Sequence, residues 1–123
     1  LHRNELIMID GAHALADAKN LSSYLKTIKL PKYGIWAMTK NKEPDLFIKE
    51  FKNIFKRVIT MPIENENSFV SPKILKKIAI KNKINSEISN NFADALKKIS
   101  DEKKKLIVCF GSLYNCGNIL NQN

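Results

Sequence analysis

Apolar residues along this chain come in two rhythms, and the two alternate. Glu5-Leu6-Ile7-Met8-Ile9-Asp10 holds a compact apolar run of strand length. From Ala14 to Lys26 the apolar positions Leu15, Ala18, Leu21 and Leu25 recur every three or four residues, the spacing of a helix with one buried face. Tyr33 to Met38 reads as a second strand, with Pro31 in the loop before it. Pro44 and Asp45 open a second helix, with Leu46, Phe47, Phe51, Ile54 and Phe55 along one face.

The alternation continues. Arg57 to Met61 is short and rich in β-branched residues, a third strand. Pro62 to Ser71 is polar and long for a loop in a compact domain, and such loops often line a site. Ser71-Pro72 starts a helix whose apolar face is Ile74, Leu75, Ile78 and Ala79. Asn85 to Ile88 is a candidate short strand. Asn91, or Ser89 before it, is positioned to cap a helix with Phe92, Ala95, Leu96 and Ile99 on its face. Lys105 to Phe110 is the final strand, and Gly111-Ser112 turns into a last helix through Leu113, Ile119 and Leu120. Strands alternating with amphipathic helices predict an α/β fold, a three-layer α/β/α Rossmann-like domain with a mostly parallel sheet of about five to six strands. Right-handed crossovers gather the strand carboxyl ends on one edge, where ligands of such sheets bind.

Composition narrows the class. A chain of 123 residues is one domain and buries a core without disulfide or metal staples. Its two cysteines, Cys109 and Cys116, make no disulfide framework, and Cys109 lies inside an apolar run, so a reducing, cytoplasmic setting is expected. No apolar run approaches the roughly 20 residues of a spanning helix, and the start lacks a signal-peptide layout. The formal charge is +9, carried almost wholly by lysine, with arginine only at Arg3 and Arg57. Nucleic-acid readers favour arginine and exposed aromatics, so a solvated lysine surface is expected, with neither nucleic acid nor membrane as partner. Trp36, inside a strand, reads as core.

Two strand-to-helix turns carry the candidate chemistry. In Ile9-Asp10-Gly11-Ala12-His13, a carboxylate at a strand end can accept from a ribose or orient a cation. Gly11 lets backbone approach closely, and His13 can donate to an anion; equally, Asp10 can simply cap the helix. In Phe110-Gly111-Ser112-Leu113-Tyr114, free N–H groups at a helix start suit a carboxylate or phosphate, with Ser112 adding a hydroxyl or serving as N-cap. Neither a dinucleotide fingerprint nor a P-loop is present. Lys40 and Lys42 follow the second strand and are placed to face the site or solvent; Tyr114 either packs across the last helix or faces the cleft. No Cys/His/carboxylate cluster has metal-ligand spacing, and Cys109 has no adjacent base.

Leu6-Ile7-Met8-Ile9-Asp10-Gly11-Ala12-His13 resembles the (L/I)-D-G-A-H-N segment of folylpolyglutamate/dihydrofolate synthases, members of the Mur ligase superfamily. Phe110 to Gly117 is similar to their T-G-S-L-Y-x-x-G segment, roughly 100 residues on, and Gly34 to Glu43 resembles a G-x-x-x-x-K-D-type stretch between them. The family's Asn after His is Ala14 here, its Pro is Leu15, and the Asp of its K-D stretch is Glu43 at best.

The resemblance implies a Mur ligase-type carboxy-terminal domain over 1–123, with the P-loop domain outside this chain. It implies an ATP-dependent ligase that adds L-glutamate to dihydropteroate or folate through an acyl phosphate. This part alone is expected to be inactive and monomeric. ATP and Mg²⁺ would be held mainly by the amino-terminal P-loop ATPase domain. Carried over by match, Asp10 and His13 would meet the nucleotide, and His13 and Ser112 the glutamate; Gly11, Lys40, Lys42, Gly111 and Tyr114 are further candidates. No catalytic or metal-binding residue is expected in this domain alone. Two alternatives stand beside this reading: a stand-alone, non-catalytic α/β binding module, favoured by Ala14 and Leu15, and the carboxy-terminal domain of a cell-wall Mur ligase.

Overall fold

The computed structural model describes residues 5–9, 14–63, 68–101 and 103–111. Five strands alternate with four helices: β1 (Glu5–Ile9), α1 (Leu15–Leu25), β2 (Lys32–Ala37), α2 (Pro44–Lys49), β3 (Arg57–Thr60), α3 (Pro72–Lys81), β4 (Ser86–Ile88), α4 (Phe92–Ile99) and β5 (Lys105–Gly111). The strands form one wholly parallel sheet in the order β1-β5-β2-β3-β4. The expected α/β architecture is therefore the observed one, and the short strand at Asn85 to Ile88 is present as β4. The helix expected after Gly111 lies outside the described residues.

The order decides which face each helix covers. The steps from β1 through β4 run one way across the sheet and place α1, α2 and α3 on one face; the return to β5 puts α4 on the other. The first face buries Leu21, Leu25, Trp36, Phe47, Phe51, Leu75 and Phe110; the second buries Ile35, Ile59, Phe92, Ile99 and Ile107. Because β5 is flanked on both sides by parallel strands and covered on both faces, all seven of its residues are buried, the continuous apolar pattern of a central parallel strand.

Helix ends agree with local chemistry in part. Ser71 caps α3 by accepting from the Ile74 N–H at 3.2 Å, and Pro72 sits in its first turn. Asn91, not Ser89, caps α4, accepting from Asp94 N–H at 2.8 Å; the Ser89 hydroxyl instead donates to the Thr60 carbonyl at 2.9 Å. Three expectations are corrected. Leu15, Leu46 and Ile74 were read as core-facing but are 41%, 43% and 51% exposed. In each case the neighbouring helical position (Ala18, Phe47, Leu75) takes the core contact. The second helix stops at Lys49, so Phe51, Ile54 and Phe55 come from the turns that follow, and Asn53 adopts φ 65° there. The second strand spans Lys32–Ala37, so Met38 lies just beyond it.

Candidate functional site

The carboxyl edge of the sheet is where the candidate turns emerge. β1 and β5 are hydrogen-bonded neighbours, with Ile9 opposite Cys109, and β5 pairs on its other side with β2, with Gly111 opposite Ala37. The strand that leads into Asp10 and the strand that leads into Ser112 thus end side by side. Asp10, Gly11, His13, Ser112 and Tyr114 themselves lie outside the described residues.

Gly111 is described, and its role differs from the expected turn. It is the last residue of β5, buried, with φ +96°. A Cβ there would sit 2.1 Å from the Ala37 carbonyl oxygen and 2.9 Å from Trp36 Cδ1. Only glycine combines that dihedral with that approach, so Gly111 lets β5 reach the edge flush against β2.

Since α1 rises from the end of β1 and α2 from the end of β2, their first turns flank the end of β5. Between them lies a cleft of about 240 Å³ lined by Ala14, Leu15, Asn41, Lys42, Glu43, Leu46 and Phe47. Its polar wall is a turn in which the Thr39 hydroxyl meets Asn41 Oδ1 at 2.7 Å and Lys42 N–H donates to the Thr39 carbonyl. Ala14 is the N-cap of α1 and offers no capping side chain, so first-turn N–H groups remain available to an anion.

Lys40 and Lys42 do not converge. Beyond β2 the chain runs antiparallel to residues 68–70: Val70 N–H donates to Met38 O at 2.8 Å, Lys40 N–H to Ser68 O at 3.1 Å, and Thr39 bridges Phe69. This strap leaves Lys42 in the first cleft. Lys40 lies in a second, about 500 Å³, with Pro44, Phe69, Ser71, Ile74 and Ile78. Among the described residues no group of three or more His, Cys, Asp or Glu could hold a metal ion, and no helix is long and apolar enough to cross a membrane.

The opposite edge carries a polar network that the hydrophobic pattern hides. Lys105, 1% exposed, opens β5 beside Glu5, which opens β1. Its ammonium lies 3.4 Å from Glu5 Oε2, 2.5 Å from Asp101 Oδ1 and 2.8 Å from the Ile99 carbonyl. The Ser100 hydroxyl and Asp101 N–H donate to Glu5. The Tyr33 ring lies 5.2 Å from the Lys105 ammonium and 5.7 Å from the Arg57 guanidinium, and Arg57 bonds Glu87 on β4. The hydrogen bond from Lys105, then that from the Lys103 N–H, holds the Asp101 carboxyl below its ordinary value. The signal for this pair was a charged residue at the head of each of two strands, meaningful only once those strands are neighbours.

The sequence pattern described as dihydrofolate synthetase, C-terminal domain, matches residues 2–122. The chain belongs to that family. No match was found among curated protein sequences. This dihydrofolate synthetase C-terminal domain shares its fold with solved folylpolyglutamate synthases. The Mycobacterium tuberculosis enzyme complexed with ADP superposes with a TM-score of 0.84 at 18% identity, over 94% of this chain and 29% of that one. The Thermotoga maritima enzyme gives 0.75 at 24% identity, over 94% and 27%. The bifunctional folylpolyglutamate synthase/dihydrofolate synthase of Yersinia pestis, complexed with AMPPNP and Mn ion, gives 0.77 at 14%, over 94% and 28%. The domain therefore spans less than a third of these relatives.

Proposed function

We propose that this domain is the carboxy-terminal part of an ATP-dependent ligase that joins L-glutamate to dihydropteroate or folate, and that it holds glutamate and part of the nucleotide against a P-loop domain of the same polypeptide. The supporting observation is the adjacency of β1 and β5. It sets side by side the ends of two strands, roughly 100 residues apart in sequence, each of which leads into a segment that resembles a ligand-binding turn of the family.

The chain's own residues fit an anionic ligand. The first-turn N–H groups of α1 and the Lys42 ammonium supply donors and positive charge at the first cleft; Asp10, His13 and Ser112 are given ligand contacts by the resemblance alone. Asp10 accepts from the nucleotide ribose, His13 donates to phosphate or carboxylate oxygens, and Ser112 binds the glutamate carboxylate. Bound ATP supplies the phosphoryl group that activates the acceptor carboxylate. The domain's part is placement: fixing the glutamate amine in line with that carbon is worth more than any acid–base group here. The cation is assigned, by the resemblance, mainly to the P-loop domain of the same polypeptide.

The test is ATP-dependent attachment of glutamate to dihydropteroate and to tetrahydrofolate by the full-length protein. His13→Ala and Ser112→Ala are each expected to lower kcat/KM for glutamate about 10-fold or more, a loss of roughly 1.4 kcal/mol. An inactive parent protein rejects the ligase; an active parent with unaffected variants rejects the residue roles.

A further inference from the structure

Three residues that the apolar pattern assigns to the core stand exposed, and they share a neighbourhood. Leu15 and Leu46 line the first cleft, and Ile74 lines the second. The stretch from Lys40 to Leu46 divides the two: Asn41, Lys42, Glu43 and Leu46 border one, Lys40 and Pro44 the other. A single exposed apolar residue is ordinary, but apolar residues gathered around adjoining concave surfaces mark a contact.

The second cleft has the makeup of a socket. It encloses about 500 Å³ between Pro44, Phe69, Ile74 and Ile78, with Lys40 and Ser71 as its polar members. Its walls are held in place: Val70 N–H bonds Met38 O, Lys40 N–H bonds Ser68 O, and Ser71 caps α3. Among the described residues no carboxylate lines it, and Lys40 has no ion-pair partner. An apolar side chain with a carboxylate beside it matches both the shape and the charge of this site.

We infer that the second cleft is a docking socket for the rest of the polypeptide, taking one apolar side chain against Ile74 and an adjacent Asp or Glu against Lys40. Length and placement name the occupant. Relatives of this fold consist mostly of chain outside the matched domain. Whatever part of that chain closes over the first cleft overhangs the second, because only the Lys40–Leu46 stretch separates them. The inference rests on the ligase reading for a P-loop domain above the first cleft, and on the structure for the socket.

The experiment uses the full-length protein without ligands. Ile74→Cys and Ile80→Cys place thiols on α3 at positions of matching exposure, 51% and 52%, and Ile80 lines neither cleft. Maleimide labelling at each position is read by mass spectrometry and divided by its rate in urea. Position 74 is expected to label about tenfold or more slowly than position 80, since a covered thiol reacts only when its cover opens. Lys40→Glu, which sets like charges against each other, is expected to remove most of that protection. Equal rates at 74 and 80, protection that appears only when nucleotide or folate is added, or protection that survives Lys40→Glu overturns the inference. Benzoylphenylalanine at position 74 identifies the occupant. The expected crosslink joins it to a segment of the same polypeptide outside this domain that carries an apolar residue beside Asp or Glu. A crosslink to a second copy or to this domain itself, or none, overturns the inference. The ligase reading fails separately, by absence of turnover in the parent.

Discussion

At the scale of single residues, the decisive positions are those where one atom more would collide or one charge less would leave a partner stranded. Gly111→Ala places a methyl 2.1 Å from the Ala37 carbonyl at a positive φ, and is expected to cost more than about 2 kcal/mol in urea unfolding, the left-handed dihedral alone accounting for about 1–2. Gly34 offers a contrast: its added Cβ would meet the Phe110 ring edge at 2.7 Å, a side chain that can move. Lys105→Met strips the buried Glu5 carboxylate of its cation, their side chains being 2% and 0% exposed, and is expected to cost about 3–5 kcal/mol. The double variant Lys105→Met, Glu5→Gln should recover part of that loss in the same denaturation assay. Asp101 adds an acid limb. Its carboxyl is held below the ordinary 3.8 by Lys105 and the Lys103 N–H. Its contribution is thus present above pH 3.8 and lost as pH falls through the depressed value. Asp101→Asn should flatten the stability–pH profile below that point. None of this was legible in composition: Lys105 looks like one more lysine of a lysine-rich surface until the register places it beside Glu5.

At the scale of elements, the apolar pattern located every strand and helix of the described residues, because a helix that buries one face records it in its period, while a strand covered on both faces stands out as a short apolar run. It misjudged Leu15, Leu46 and Ile74, all in the first turn or just inside the start of their helices. There the chain is still at the sheet's edge, and a position on the apolar stripe overlooks a cleft instead of the core. The start of α1, like that of α2, has no side-chain cap. Ala14 accepts no N–H with its side chain and Leu15 occupies the first helical position, where the family pattern resembled by this segment has Asn-Pro. Ala14→Asn is expected to raise stability by about 1 kcal/mol through capping. It should also lower anion affinity at the first cleft, since the new side chain competes for the same N–H groups; phosphate titration against thermal unfolding reads both effects.

At the scale of the whole molecule, sequence reasoning reached the fold class and the carboxyl edge as the candidate edge for a site, since parallel βα units leave little choice. It could not reach strand order. Nothing in Lys105 to Phe110 says that this run inserts between β1 and β2, yet that insertion is what makes neighbours of two distant strand ends and what sets Gly111 opposite Ala37. The same insertion has a consequence for biosynthesis. Among the described strands β1 pairs only with β5, and β2 meets β1's side of the sheet only through it, so a nascent chain can join β2, β3 and β4 while its first strand waits for residues 105–111. Such long-range closure is slow relative to local pairing. In pulse-labelled hydrogen exchange during refolding, amides of β2 and β3 should gain protection before those of β1. The seam between β1 and β2 would then be the last part of this domain to close, and a chain that ends before Lys105 would lack the strand that both of its apolar layers share.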